Sequence, residues 1–226
     1  MRLTTRLLAA GLAIGFLLAA AGYWGYRAYR VSLDKAALER GLDRDAESME
    51  AILKLEAEGA SRTYQDVFAL CDKSVERRTA FIFEVRGFDP WLGESFKSLL
   101  SEYLAIGNEL VGFKRGLYRE RLNLVTAKEL FTEHVRTRSL RRSDQYFVKA
   151  SSLNADLLKA TTGLYRNATQ FSLAYSRLLI IERMLAPELA AAQIRFRPIF
   201  GRYRDPNMKF IDDLKKIADS VRKSLQ

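Results

Sequence analysis

An uncharged apolar run opens the chain. Residues 7–26 contain no acidic or basic side chain, and a pair of arginines flanks the run on each side. At about 1.5 Å per residue, these twenty residues form roughly 30 Å of helix, which is enough to cross the hydrocarbon core of a bilayer. The pattern predicts a single N-terminal transmembrane signal-anchor over residues 1–30.

The same segment also has the features of a cleaved signal peptide. A basic start and an apolar core precede the small residues 19–21, so cleavage after Ala21 stays an open alternative. We favour a retained anchor because the run continues into Tyr23, Trp24 and Tyr26, amphipathic rings that suit the head-group region. The order of basic tail, apolar core and polar body favours an extracytoplasmic C-terminal domain, which would be periplasmic in a bacterium.

Small residues form one stripe of the predicted anchor. A GxxxG pattern is part of it and lets two helices approach closely, so the stripe predicts self-association and a homo-oligomer. Glycine and alanine are also common in membrane helices that do not associate. The stripe consists of Gly11, Gly15, Ala19 and Gly22.

Beyond residue 30, apolar residues recur at alternating spacings of four and three, as in helices that pack like coiled coils. One such seam covers residues 92–117, and a longer one covers residues 146–185 and stops before Pro187. A weaker seam covers residues 64–85. Further apolar residues beside each seam make it wider than a two-stranded coiled coil requires.

We therefore predict an all-α fold, in which residues 31–226 form an antiparallel bundle of three or four long helices. Gly59 leaves open whether the first helix is broken. The predicted helices cover residues 31–86, 91–135, 143–185 and 207–225.

Two polar residues occupy seam positions. Asn167 is predicted to fix the register or the oligomeric state at a cost in stability, or alternatively to face a gap or the edge of the bundle. Arg78 is predicted to lay its aliphatic stem along the core and to keep its charged head in water.

Composition supports a folded, basic domain. Hydrophobic residues make up 48% of the chain and charged residues 28%, with only four prolines in 226 residues. The formal net charge is +10, and residues 1–30 contribute four of these charges. The remaining excess of six suits an anionic lipid or an acidic protein, whereas nucleic acid is an improbable partner.

The residues needed for common catalytic sites are scarce. His134 is the only histidine and Cys71 the only cysteine, which excludes multi-histidine metal sites and an internal disulfide. Phosphate-binding loops and nucleophile-elbow motifs are absent from the sequence. We therefore expect a protein that is not an enzyme and has no metal or cofactor.

A basic run follows the predicted helix over residues 91–135. If the first helix is unbroken, this run returns to the membrane, where each basic residue contributes about 1 kcal/mol near an anionic surface. An ordinary solvated connection between helices is the alternative. The predicted membrane-surface residues are Arg136, Arg138, Arg141 and Arg142.

Arginines alternate with aromatic residues in the one long stretch that lacks helical periodicity. Such a stretch can grip a partner by charge and stacking, or it can pin itself to the bundle with its aromatic rings inward. The predicted partner-binding residues are Arg195, Phe196, Arg197, Phe200, Arg202, Tyr203 and Arg204.

Together these patterns predict a membrane-anchored helical scaffold or sensor that contacts membrane lipid and a protein partner. The alternative is an extracytoplasmic carrier or sensor that holds a small apolar ligand between its helices. The predicted ligand-lining residues are Phe96, Tyr103, Phe113, Phe171 and Tyr175.

Overall fold

A computed structural model describes residues 2–55, 63–88, 91, 93–136 and 144–203, with side chains from residue 14 onward except that of Asp144. Every element in these residues is helical, which confirms the all-α prediction for the described part of the chain. The predicted helix over residues 207–225 lies outside it. The helices are α1 (Arg2–Lys54), α2 (Tyr64–Arg86), α3 (Glu94–Arg136) and α4 (Asp144–Ala191).

The first long helix predicted from the sequence is two helices in the structure. α1 ends at Lys54, and a capping box starts α2: the Thr63 hydroxyl accepts the Asp66 amide at 3.2 Å, and the Asp66 carboxylate accepts the Thr63 amide at 3.0 Å. Gly59 lies outside the described residues. The weaker seam begins only at Tyr64, so periodicity alone left this question open.

α2 folds back antiparallel to α1. Arg78 contacts Asp45, the Ser48 hydroxyl donates to Ser74 at 2.8 Å, and Trp91 donates to Asp34 at 3.2 Å. The α2–α3 connection therefore lies beside Asp34, where the packed part of α1 begins. An unbroken first helix would instead have put this connection at the end of the bundle far from the N-terminal part of α1.

α3 then runs in the same direction as α1, and α4 returns antiparallel to it. The Tyr118 hydroxyl donates to the Leu55 carbonyl at 3.1 Å, so α1 ends beside the middle of α3. Beyond this level α3 and α4 continue as a two-helix arm. At the outer part of the arm, the rings of His134 and Tyr146 stack 4.5 Å apart.

One apolar core joins the second half of α1, α2, the first half of α3, the second half of α4 and the segment after α4. The predicted inner seams of α3 and α4 face each other in this core. Its fully buried members include Leu38, Ile52, Cys71, Val85, Leu100, Leu104, Leu110, Phe171, Leu178, Leu185 and Ile199.

α4 is longer than predicted. It passes through Pro187 and ends at Ala191, because Leu185 and Leu189 are both fully buried and hold the helix on either side of the proline. Gln193 then adopts φ 58°, and the Ile194 amide donates back to the Leu189 carbonyl at 2.9 Å. This left-handed cap turns the chain toward α1.

Two seam residues are placed by close contacts with glycines. Asn167 packs on Gly116, where an added Cβ would lie 2.4 Å from its Oδ1 atom, in keeping with a role in register. The head of Arg78 is not in water as predicted: the residue is 2% exposed, and its Nη2 atom lies 2.6 Å from Asp45. Gly107 provides the room, since a Cβ there would lie 2.5 Å from Arg78 Nη1.

We expect Gly107→Ala to lower the free energy of unfolding by about 1–3 kcal/mol, because the new methyl group pushes Arg78 away from Asp45. Exposed Gly112 is the matched control on the same helix, since nothing lies within 4 Å of its added Cβ. Gly112→Ala is expected to raise the free energy of unfolding by about 0.5–1 kcal/mol. Urea unfolding followed by circular dichroism measures both, and equal effects would contradict the assigned contact.

Candidate functional site

A buried carboxylate joins α3, α4 and the segment after α4, residues 192–203, here called the return segment. Glu182 is 2% exposed and accepts hydrogen bonds from the backbone amides of Ile199 at 2.7 Å and Phe200 at 3.0 Å, and from the Tyr103 hydroxyl at 3.3 Å. Burial raises the pKa of Glu182 above its usual value, and the backbone hydrogen bonds oppose that rise. The site holds the chain in place and is closed to a substrate.

The return segment pins itself to the bundle. The Tyr175 hydroxyl donates to the carbonyls of Phe200 and Tyr203. On the outer side, the Arg195 amide donates to Glu39 at 2.9 Å, and Arg197 lies 3.1 Å from Glu50. The backbone hydrogen bond and the charge of Arg195 lower the pKa of Glu39.

This arrangement decides which of the predicted partner-binding residues are accessible. Phe200 is buried, and Phe196 and Tyr203 are half-buried against the core. Arg195 and Arg202 are exposed, so partner binding by this segment stays a prediction for these arginines. Arg204 lies outside the described residues.

A second buried cation lies between aromatic rings. Lys114 is fully buried, with its ammonium 5.4 Å from the Phe171 ring centre and 5.9 Å from that of Tyr118. Cys71 lies in the same core, and burial raises the pKa of its thiol to about 11. An inert thiol in an apolar core has a packing role.

The aromatic residues considered for a small ligand pack against other parts of the chain. The Tyr103 ring contacts Phe196 and Phe200 with centre distances of 6.2 and 6.4 Å, and Phe171 stacks on Tyr175. A cavity of about 610 Å³ lies elsewhere, between α1 and α2. Its lining carries charges of both signs, among them Arg44, Glu47, Lys73, Arg77 and Glu84.

The basic run predicted to meet the membrane begins at the end of the two-helix arm. Arg136 is exposed there, at the opposite end of the molecule from the N-terminal part of α1. The return geometry that motivated the membrane contact is therefore absent. Arg138, Arg141 and Arg142 lie outside the described residues.

α1 is one uninterrupted helix across the predicted domain boundary at residue 30. Among residues with described side chains, no helix has an apolar stretch long enough to cross a membrane. Residues 7–13 of the predicted span lie outside that set, as does Gly11. Gly15, Ala19 and Gly22 are exposed, and an added Cβ at either glycine would meet nothing within 4 Å.

The solvent side of α4 carries a line of large apolar side chains. Sequence reasoning missed this line because the stronger inner seam of the same helix dominated the pattern. In the sequence, this line is a second set of apolar or small uncharged residues that recur every three or four positions along α4. The large members, which define the outer stripe, are Leu158, Tyr165, Leu173, Ile180 and Met184, each at least 43% exposed.

Neither a metal-binding cluster among the described residues nor a match to a known protein points to a function. In the part of the chain that the structure describes, no group of three or more His, Cys, Asp or Glu side chains is arranged to hold a metal ion. No family model, curated protein or solved structure matches the chain.

The raised pKa of Glu182 predicts a pH dependence. Because the folded state favours the neutral carboxyl, the stability that it contributes is present below the unfolded pKa and is lost as pH rises through the folded pKa. The free energy of unfolding of the wild type, relative to Glu182→Gln, should therefore fall as pH rises above about 4.5. Urea unfolding at several pH values tests this. Exposed Glu188→Gln is the control, and a relative gain with rising pH would contradict it.

Proposed function

We propose that this chain is a membrane-anchored, non-enzymatic helical bundle that acts as a scaffold or sensor by binding another protein. The outer stripe of α4 carries the protein-binding part of the proposal. Five large apolar side chains stand exposed on one side of a helix whose opposite side is already packed. Apolar surface of this extent is typical of an interaction site.

The continuity and exposure of α1 support the anchor. Its large side chains from residue 14 to residue 26 are 58–75% exposed, whereas Leu38 and Ile52 of the same helix are fully buried. Together with the uncharged run over residues 7–26, this contrast favours a helix that leaves the bundle and enters a membrane. Self-association through Gly11, Gly15, Ala19 and Gly22 stays a prediction within this proposal.

Anchoring predicts resistance to alkaline carbonate extraction and retention of the original N-terminus. The double variant Ile14→Arg/Leu17→Arg should become extractable, because each arginine near mid-membrane costs about 2.5–3.5 kcal/mol. Fractionation with immunoblotting measures extraction, and N-terminal sequencing of the pellet defines the start of the chain. A mature N-terminus at Gly22 would contradict a retained anchor.

An extracytoplasmic domain predicts labelling from outside the cell. A cysteine at exposed Gln170 should react with a membrane-impermeant maleimide in intact cells. Native Cys71 is fully buried and supplies the unlabelled background. Labelling that appears only after lysis would contradict this topology.

Photo-crosslinking in intact membranes tests the function itself. A photoreactive amino acid is placed in turn at exposed positions on each helix, including Leu173 of α4 and Phe83 of α2. Discrete protein adducts from at least one surface are expected. The absence of protein adducts from every position would refute a protein-binding scaffold.

A further inference from the structure

The outer stripe is a nearly straight line on α4. From Leu158 to Met184 it extends about 39 Å at 1.5 Å per residue. Between its large residues lie Thr162, Thr169 and Ser176, so that the line advances in steps of three or four residues. A helix packs along such a line through anchors at this spacing.

The small residues of this face have internally satisfied hydroxyl groups. Thr162 donates to the Leu158 carbonyl at 2.8 Å, Thr169 donates to Tyr165 at 3.0 Å, and Ser176 donates to Ser172 at 2.9 Å. A covering surface would therefore leave none of these donors unpaired. The usual penalty for burying a hydroxyl group does not apply, and the face is suited to a dry contact.

The charged residues that α4 itself places beside the stripe are all basic. Lys159, Arg166 and Arg183 are exposed, and among the described residues they form no ion pair. The only acidic residue of α4 between residues 157 and 187 is Glu182, which is buried on the other side. Arg177 is the one basic residue of this stretch that is already neutralised, by Glu102 and Glu109 of α3.

We propose that the outer stripe of α4 is the docking site for one amphipathic helix of a partner protein, with Asp or Glu beside its apolar face. The apolar stripe supplies contact area, and the flanking basic residues select an acidic helix and set its register. This inference rests on the proposed function and names the surface and the partner chemistry.

Charge and orientation argue against the other occupants. A second copy of α4 would bring Lys159, Arg166 and Arg183 against their equivalents, so like charges would meet. An anionic membrane matches the charge but not the direction, because α4 runs antiparallel to α1 and its stripe extends along the axis of the proposed anchor.

Mapping the crosslinked residues tests the occupant. With the full chain in its native membrane, a photoreactive residue at Leu173 or Ile180 should give one protein adduct, and mass spectrometry should place the link in an acidic amphipathic helix. A link to lipid, to a second copy or to residues 204–226 would overturn the proposal. Adducts from Phe83 but none from α4 would overturn it while leaving the proposed function intact.

Two sets of variants test how the partner is recognised. Leu173→Glu/Ile180→Glu should reduce the adduct formed from a photoreactive residue at Tyr165 at least tenfold, whereas the matched exposed change Phe83→Glu should leave it unchanged. Circular dichroism monitors folding. Replacing the three basic residues Lys159, Arg166 and Arg183 by Gln should reduce the adduct three- to tenfold and weaken its dependence on salt. Unchanged yields for either set would overturn the proposal.

Discussion

The fold depends on a carboxyl group, that of Glu182, held away from water. In the part of the chain that the structure describes, no Cα atom of α1 lies within 8 Å of one in α4. The return segment fills the space between them, and Glu182 fixes it by accepting two backbone amides. An acidic side chain that is costly to bury is therefore retained because it satisfies backbone donors that would otherwise be orphaned in the core. Glu39 and Glu50 complete the attachment from the α1 side.

Buried cations and glycines set the spacing of the other helices. The guanidinium of Arg78 occupies the place of a side chain at Gly107, and the ammonium of Lys114 lies between two aromatic rings. Each of these two buried charges requires a specific neighbour. A shift of one helix along another would therefore separate each charge from that neighbour. A bundle of Leu and Ala seams alone permits several registers, and these polar contacts select one.

The periodicity of apolar residues correctly predicted which helix faces are buried. It did not predict features that depend on contacts between residues far apart in the sequence. The inner seams of α3 and α4 placed Tyr103, Leu110, Phe171 and Leu178 in the core correctly, because a heptad pattern reports which face is apolar. It did not locate the reversal before Tyr64, whose signal is the short capping box at Thr63. The burial of Arg78 depends on Asp45, 33 residues earlier, and no local pattern links the two. The residues of the outer stripe are visible in the sequence, but their apolar pattern is weaker than that of the inner seam on the same helix.

Because α1 is unbroken, the distance between its uncharged N-terminal run and the bundle is fixed. Asp34, which binds Trp91, lies eight positions after Tyr26, where the uncharged run ends, so roughly 12 Å of continuous helix connects the two. A continuous helix of this length sets the distance between the two parts, whereas a flexible linker would let it vary. Along the axis of α1, Met184 lies near the base of the bundle and Leu158 lies about 39 Å farther from the N-terminal part of that helix. The surfaces of the bundle, including the outer stripe, therefore lie at set distances from the uncharged run. Each residue inserted between positions 26 and 34 would move the whole bundle about 1.5 Å along the axis of α1 and rotate it by about 100°.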